Sequence, residues 1–393
     1  MMAAGLESAD FYANPYPTYA TLRRQGEAVY DEERDLWFIG GYACAVDLLV
    51  NRKLRKDDRY ERLTPEQTAS PLLRMKSLWL LMRDGAFHRN GRAAVADGFS
   101  HRSIDSAEQL VREVCRDVIG AIEPGREFDL IAEVARPLPF QVISALLGVL
   151  GEESDALRVS SRALFATLEP GVTEEKWEAG ERAAEHFTEV FSPRLRQPAV
   201  YGGALLRSIA ETVDNGSTTF EAAVAMCSLM FIAGHETTTH FIGNAVNAII
   251  EHRVDVGTFA RRVWSEPRVL EEFWRYDSSV QNTLRIAEHE VELGEVTLPQ
   301  GARCMILLGS ANRDERFFDR PDTLDFTRPV RRHLGFGYGA HFCLGAPLAR
   351  LEVSVVLSAL ASLGERWAVA QDEVTWTQSV TVRGPARFPM MLA

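Results

Sequence analysis

Phe336-Gly337-Tyr338-Gly339-Ala340-His341-Phe342-Cys343-Leu344-Gly345 sets one cysteine among glycines and aromatics. Residues 346–363, directly after it, have the composition of a good helix, which places Cys343 at or just before a helix N-terminus. That position suits a thiolate. A helix N-terminus or a metal lowers a thiol pKa from about 8.5 to roughly 3.5–7.5, and the positive end of the helix dipole favours the anion. Gly337, Gly339 and Gly345 leave room for a flat ligand against the backbone. The other four cysteines, Cys44, Cys115, Cys227 and Cys304, have no such setting and read as small buried hydrophobes.

Competing chemistries fit less well. A cysteine hydrolase needs a separate base, and His341 is too near in sequence to serve. No G-x-S-x-G, Walker loop or H-E-x-x-H occurs. The glycines around Cys343 do not make G-x-G-x-x-G. Five cysteines without a C-x-x-C pair argue against a disulfide framework or a zinc site and fit a reducing cytoplasm.

A second cluster interrupts an apolar stretch. Residues 220–250 predict the longest helix, roughly 45 Å at 1.5 Å per residue. Thr218 and Glu221 have capping-box spacing at its start. The run from Ala222 to Gly234 is apolar except for Ser228. The helix then turns polar at Ala233-Gly234-His235-Glu236-Thr237-Thr238-Thr239-His240. Further on, Glu272 and Arg275 stand at i and i+3, on one helix face, where they can lock together.

The elements that must position these groups are mostly helical. Residues 104–122 carry apolar residues at helical spacing and stop near Pro124-Gly125. Residues 140–150 predict an apolar helix and 174–190 a charged amphipathic one. Residues 29–39 predict a hairpin. Residues 291–308 predict short strands broken at Gly294-Glu295 and at Pro299-Gln300-Gly301. There are no repeats or long linkers, so 1–393 reads as a single domain. The 46% hydrophobic content supports a large core. The net charge of −12 argues against a nucleic-acid partner. The apolar run at 222–234 is too short to cross a bilayer, which takes about 20 residues, and no signal peptide is visible at the N-terminus.

Taken together, the cysteine loop resembles the heme-binding signature of cytochromes P450, F-G-x-G-x-H-x-C-x-G, with every fixed position met. The likeness is to the soluble bacterial class. Ala233-Gly234-His235-Glu236-Thr237-Thr238 resembles that family's oxygen-binding motif, Glu272 to Arg275 its E-x-x-R, His88 to Arg92 its H-x-x-x-R, and Arg285 the arginine that follows E-x-x-R. Asn14-Pro15-Tyr16-Pro17 and Leu344–Arg350 extend the likeness along nearly the whole chain.

The resemblance implies a mainly α fold with small β-sheets around one buried heme b (iron protoporphyrin IX). It implies Cys343 as the iron ligand, its electron donation favouring O–O cleavage. Phe336, Gly337, His341 and Gly345 would belong to the heme-binding loop. Ala233 and Gly234 would admit the heme and a substrate, and His88, Arg92, Arg285 and His341 would serve its propionates. Thr237 would hydrogen-bond dioxygen and Glu236 relay protons, while Glu272 and Arg275 would be structural. Leu229, Ile232, Val280, Gln281, Asn282 and Thr381 would line the substrate pocket, with residues 60–81 and 164–197.

Electrons would come from a ferredoxin or flavodoxin with an NAD(P)H-dependent reductase. The expected reaction is hydroxylation of a hydrophobic small molecule such as a natural-product intermediate. Other readings of the same motifs are C–C or aryl coupling, a peroxygenase, and a non-enzymatic helper; the intact Cys343, Glu236 and Thr237 argue against the last. The chain departs from the family pattern twice. Asp84-Gly85-Ala86-Phe87 replaces a proline-rich loop before His88, and Pro321-Asp322-Thr323-Leu324 lacks the arginine that usually completes the E-x-x-R network.

Overall fold

The computed structural model describes residues 8–56, 63–123, 125–169, 171–329, 331–363, 367–370 and 374–392. Pro124, expected as part of a helix stop, and residues 60–62 of the expected pocket loop lie outside these. The chain is mainly helical and divides into two compact units, each built from more than one segment: residues 1–55, 112–138 and 237–393 form one, and 56–111 and 139–236 the other.

The first unit holds a five-stranded sheet. Val29–Asp31 and Leu36–Ile39 form the expected antiparallel hairpin. Leu36–Ile39 then pairs in parallel with Arg303–Leu307. That strand runs antiparallel to Asn282–Ala287, which in turn pairs with Leu54–Arg55. Val291–Leu293 and Val296–Leu298 make a separate hairpin around Gly294, whose φ of +60° is open to glycine at little cost. Ile39, Leu48, Cys304, Ile306 and Leu334 are fully buried in the core beneath the sheet.

Ala346–Leu363 forms a helix as its composition predicts. Among the described residues it alone is long and apolar enough to cross a membrane, and half of it is buried within the fold. Residues 131–135 wind one π-turn, with Arg136 N–H reaching Ile131 O at 3.0 Å.

In the second unit, Glu174–Arg196 packs along Glu152–Ala166. The helix expected over 140–150 spans Pro137–Leu146 instead. It stops early because Gly148 turns at φ +68° with its Cα against the carbonyls of Tyr201 and Gly202, where a Cβ would clash.

The long helix spans Phe220–Glu251 without interruption. Its cap is Thr219, not Thr218. Thr219 Oγ1 accepts Ala222 N–H at 3.2 Å, and its carbonyl accepts the first helical bond, from Ala223. With Thr219 at the cap, the third helical residue is Ala222, so no capping box forms. Ser228, the one polar residue in the apolar run, is fully buried and accepts the indole N–H of buried Trp79 at 3.0 Å.

Candidate functional site

Cys343 differs from its fellow cysteines in exposure. It is exposed, whereas Cys115, Cys227 and Cys304 are buried and Cys44 is half-buried. Burial pushes the Cys115 thiol up to about 11, that of Cys304 up to about 12 and that of Cys227 higher still, so these stay protonated and inert.

The loop that presents Cys343 is held at several points. Cys343 N–H donates to Phe336 O at 2.9 Å, and Gly337 N–H to Leu334 O at 2.8 Å. Gly337 and Gly339 adopt φ of +71° and +70°, which an L side chain would resist. A Cβ on Gly337 would meet only His341 O, at 3.6 Å, so the backbone there faces open space. His341 ends the short turn Gly339–His341, half-buried. Gly345 O accepts Ala349 N–H and so caps the Ala346–Leu363 helix two residues after the sulfur.

Aromatic packing ties the loop to two helices of its unit. Phe336 lies 4.7 Å from Trp274, centroid to centroid, and Trp274 stacks on Phe241 of the long helix at 4.0 Å and 8°.

Glu272 and Arg275 form a buried two-pronged pair, both contacts 2.8 Å. Arg275 also donates to the carbonyls of Asn312, Pro321 and Thr323. The Asn312 side chain in turn accepts Leu334 N–H at 2.6 Å, two residues before Phe336. The missing arginine of the 321–324 stretch has a substitute. Arg328 Nε reaches Glu272 Oε1 at 3.2 Å, and the 321–323 stretch contributes backbone carbonyls instead. Sequence reasoning missed Arg328, whose signal was only a basic residue at no regular spacing ahead of Pro329.

Arg285 is buried on the Asn282–Ala287 strand and donates to Thr283 Oγ1 and Leu284 O. Nearby, Val280, Gln281, Asn282 and Thr381 are brought together. Gln281 N–H donates to Thr381 O, Asn282 Nδ2 to Val380 O, and Val280 bridges to Val382. The Gln281 side chain donates to Ser278 O and packs against Gly309.

In the second unit, His88 is buried and Arg92 half-buried one turn apart on the helix Gly85–Val95. The altered Asp84-Gly85 entry is stabilised locally: Asp84 accepts Lys56 N–H at 2.6 Å, and Gly85 supplies φ +68°.

On the long helix, Leu229 and Ile232 are buried, Ala233 is exposed and Thr237, one turn on, is half-buried. Ala233 is the one exposed position between 222 and 249 of this helix, with Met230, Gly234, Glu236 and Thr237 half-buried. Gly234 has a packing reason, since a Cβ there would sit 3.0 Å from Ile143. His235 is buried, its Nδ1 donating to Phe231 O at 2.6 Å; its Nε2 is 3.3 Å from both Ser161 Oγ and Glu236 Oε1.

These residues fit a heme. An exposed sulfur stands before a helix N-terminus, and Gly337 leaves the adjacent backbone open. Among the described residues no cluster of His, Cys, Asp and Glu competes as a metal site.

The cytochrome P450 family profile matches residues 267–362. Cytochrome P450 107B1 of Saccharopolyspora erythraea is 31% identical over 369 residues, 91% of this chain and 89% of that one. The vitamin D(3) 25-hydroxylase of Pseudonocardia autotrophica is 31% identical over 394 residues, 98% and 96% of the two chains. Among solved structures, P450BioI in complex with hexadec-9Z-enoic acid ligated acyl carrier protein superposes with a TM-score of 0.89 at 26% identity, covering 98% of this chain and all of that one.

Proposed function

The chain belongs to the cytochrome P450 family, and from that premise we propose that it hydroxylates a hydrophobic small molecule with dioxygen and electrons passed from a ferredoxin or flavodoxin by an NAD(P)H-dependent reductase. Proteins of this family are heme b monooxygenases. When bound, the heme supplies the activation of dioxygen and the oxidising power needed to attack a C–H bond.

The chain's own residues supply the rest. Cys343 ligates the iron as thiolate, and the Phe336 carbonyl fixes its backbone. Arg285, His88, Arg92 and His341 serve the propionates through charge-assisted or neutral hydrogen bonds. Ala233 leaves the helix face open. Thr237 holds a proton on that face, and Glu236 receives protons from solvent and passes them on. Leu229, Ile232, Val280, Gln281, Asn282 and Thr381 belong to the substrate side.

A natural-product intermediate fits the likeness to P450BioI, which was solved in complex with a hexadec-9Z-enoic acid ligated acyl carrier protein. A cytoplasmic setting fits five cysteines with no disulfide among them.

The observation that carries this reading is the exposure of Cys343 on its glycine loop ahead of a helix. The reduced, carbon-monoxide-bound protein is expected to show the red-shifted Soret band of thiolate ligation. Cys343→Ala loses that band and Cys304→Ala keeps it. Retention of the band by Cys343→Ala refutes the ligand. A compound library screened for the substrate-induced spectral shift then identifies the substrate class.

A further inference from the structure

Glu271 precedes Glu272 on the helix Pro267–Tyr276 and points about 100° away from it around the axis. It takes no part in the Glu272–Arg275 network. Its two oxygens accept a parallel fork from Arg350, Nε at 2.6 Å and Nη2 at 2.9 Å. His333 Nε2 lies 2.9 Å from Glu271 Oε2, while His333 Nδ1 accepts Gly335 N–H at 3.0 Å. That second bond leaves the ring proton on Nε2, donated to the carboxylate.

Burial of Glu271 alone would raise its pKa, but His333 and Arg350 outweigh it and hold the carboxyl down to about 2. Arg350 in turn spreads its guanidinium over the Phe336 ring, 4.4 Å from the centroid. Phe336 is the residue whose carbonyl holds Cys343 N–H.

The sequence positions give this cluster its meaning. His333 enters the cysteine loop and Arg350 leaves it, in the second turn of the following helix. Glu271 hydrogen-bonds both ends, so it closes the 333–350 segment as a clasp. It also offsets the charge of Arg350, which otherwise lies as an uncompensated cation against the loop that carries the sulfur.

We propose that Glu271 is a positioning residue for the Cys343 thiolate, clasping the two ends of its loop and neutralising Arg350, and so setting the iron's reduction potential and the durability of thiolate ligation. This rests on Cys343 being the iron ligand.

The test uses the heme-loaded full chain as wild type, Glu271→Gln, Arg350→Lys, and the double variant Glu271→Gln with Arg350→Gln. Heme content, reduction potential and the decay of the thiolate-type ferrous–CO band are measured for each. Glu271→Gln keeps the shape and loses the charge, so the potential rises and the band decays several-fold faster. The double variant removes both charges, so the potential returns toward wild type while the fast decay remains; a merely structural role would not separate the two readouts. If Glu271→Gln takes up no heme, Arg350→Lys decides. It keeps the charge without the fork or the flat stacking, so its potential holds and its band decays faster.

Wild-type potential and decay in Glu271→Gln, with a thiolate band present, overturn the inference and leave the ligand standing. In the absence of Glu271→Gln data, wild-type decay in Arg350→Lys does the same. A wild-type protein without that band, or one whose Cys343→Ala variant keeps it, overturns both.

Discussion

Arg328 and Arg275 share one acceptor: Glu272 Oε1 lies 3.2 Å from Arg328 Nε and 2.8 Å from Arg275 Nη2. A carboxylate between two guanidiniums, all three side chains less than a tenth exposed, is stable only while each charge keeps its partner. Arg328 also donates to the carbonyls of Asp319, Arg320 and Thr323, so it draws in the stretch that lacks the expected arginine.

Arg275→Ala leaves Glu272 short of its main counter-charge and breaks three carbonyl bonds. Breaking a buried pair typically costs about 3–5 kcal/mol, and heme-free, aggregating protein is the expected outcome. Arg328→Ala leaves the Arg275 pair in place, so a loss of about 1–3 kcal/mol is expected, seen as a lower thermal midpoint and reduced heme content. Arg328→Lys recovers only part of this, because one ammonium cannot reach the carboxylate and three carbonyls together. An Arg328→Ala protein as stable as wild type removes Arg328 from the network.

Acid should expose the contribution of Glu271. Its pKa falls from an ordinary 4.5 to about 2, so its stabilisation is present above pH 4.5 and is lost as pH drops toward 2. The difference is on the order of 3 kcal/mol. In Glu271→Gln that part of the pH dependence disappears, and stability measured by urea unfolding between pH 5 and 3 falls less steeply than in wild type. Parallel curves would show that the carboxylate is not held by Arg350 and His333 in solution.

Glu352 gives the opposite sign. It is fully buried on the Ala346–Leu363 helix, with neither oxygen in a hydrogen bond of ordinary geometry although the Thr238 hydroxyl faces it. Burial raises its pKa well above the usual range and Thr238 lowers it only in part. Such an acid stabilises the fold below its unfolded pKa and loses that contribution as pH rises. Glu352→Gln, neutral at every pH, is therefore expected to be more stable than wild type at pH 8, with the difference vanishing near pH 4. A Gln variant that is less stable at pH 8 would mean the carboxyl is ionised and paired in solution.

Much of this was legible in the sequence because local patterns carry it. The Cys343 loop, the long helix, the hairpin at 29–39 and the short strands after Val291 each follow from spacing and turn residues within a dozen positions. What escaped depends on distance along the chain. Glu271 meets Arg350 across 79 residues and Glu272 meets Arg328 across 56, and no period marks either partner. Glu352 hides in an apolar helix, where a single acid reads as an exposed position. The cap moved from Thr218 to Thr219 because two adjacent threonines offer the same chemistry, and only the backbone decides between them.

Proton delivery joins the sequence motif to the structure most directly. Glu236 and Thr237 are neighbours about 100° apart on the long helix, so they cannot serve the same direction. Thr237 shares the face of exposed Ala233, one turn away. Glu236 is 15% exposed and its Oε1 lies 3.3 Å from His235 Nε2, on the side where His235 also approaches Ser161. On the proposed reading, a carboxyl at the edge of solvent would collect protons and a hydroxyl on the open face would place them.

A positioned proton donor is worth about 10²–10⁴ in rate. Glu236→Gln is therefore expected to slow turnover by such a factor while heme content and the substrate-induced spectral shift stay as in wild type. Thr237→Ala should keep consuming NAD(P)H but send the electrons to hydrogen peroxide, because protons then reach the reacting dioxygen without direction. Product and peroxide per NAD(P)H, measured with any compound that gives the spectral shift, separate the two variants. A fully coupled Thr237→Ala protein would mean that the substrate supplies the hydroxyl itself, or that the reaction is a coupling or peroxide-driven one in which Thr237 has no such role. Repeating the measurement with a second ligand lacking hydroxyl groups decides between those outcomes.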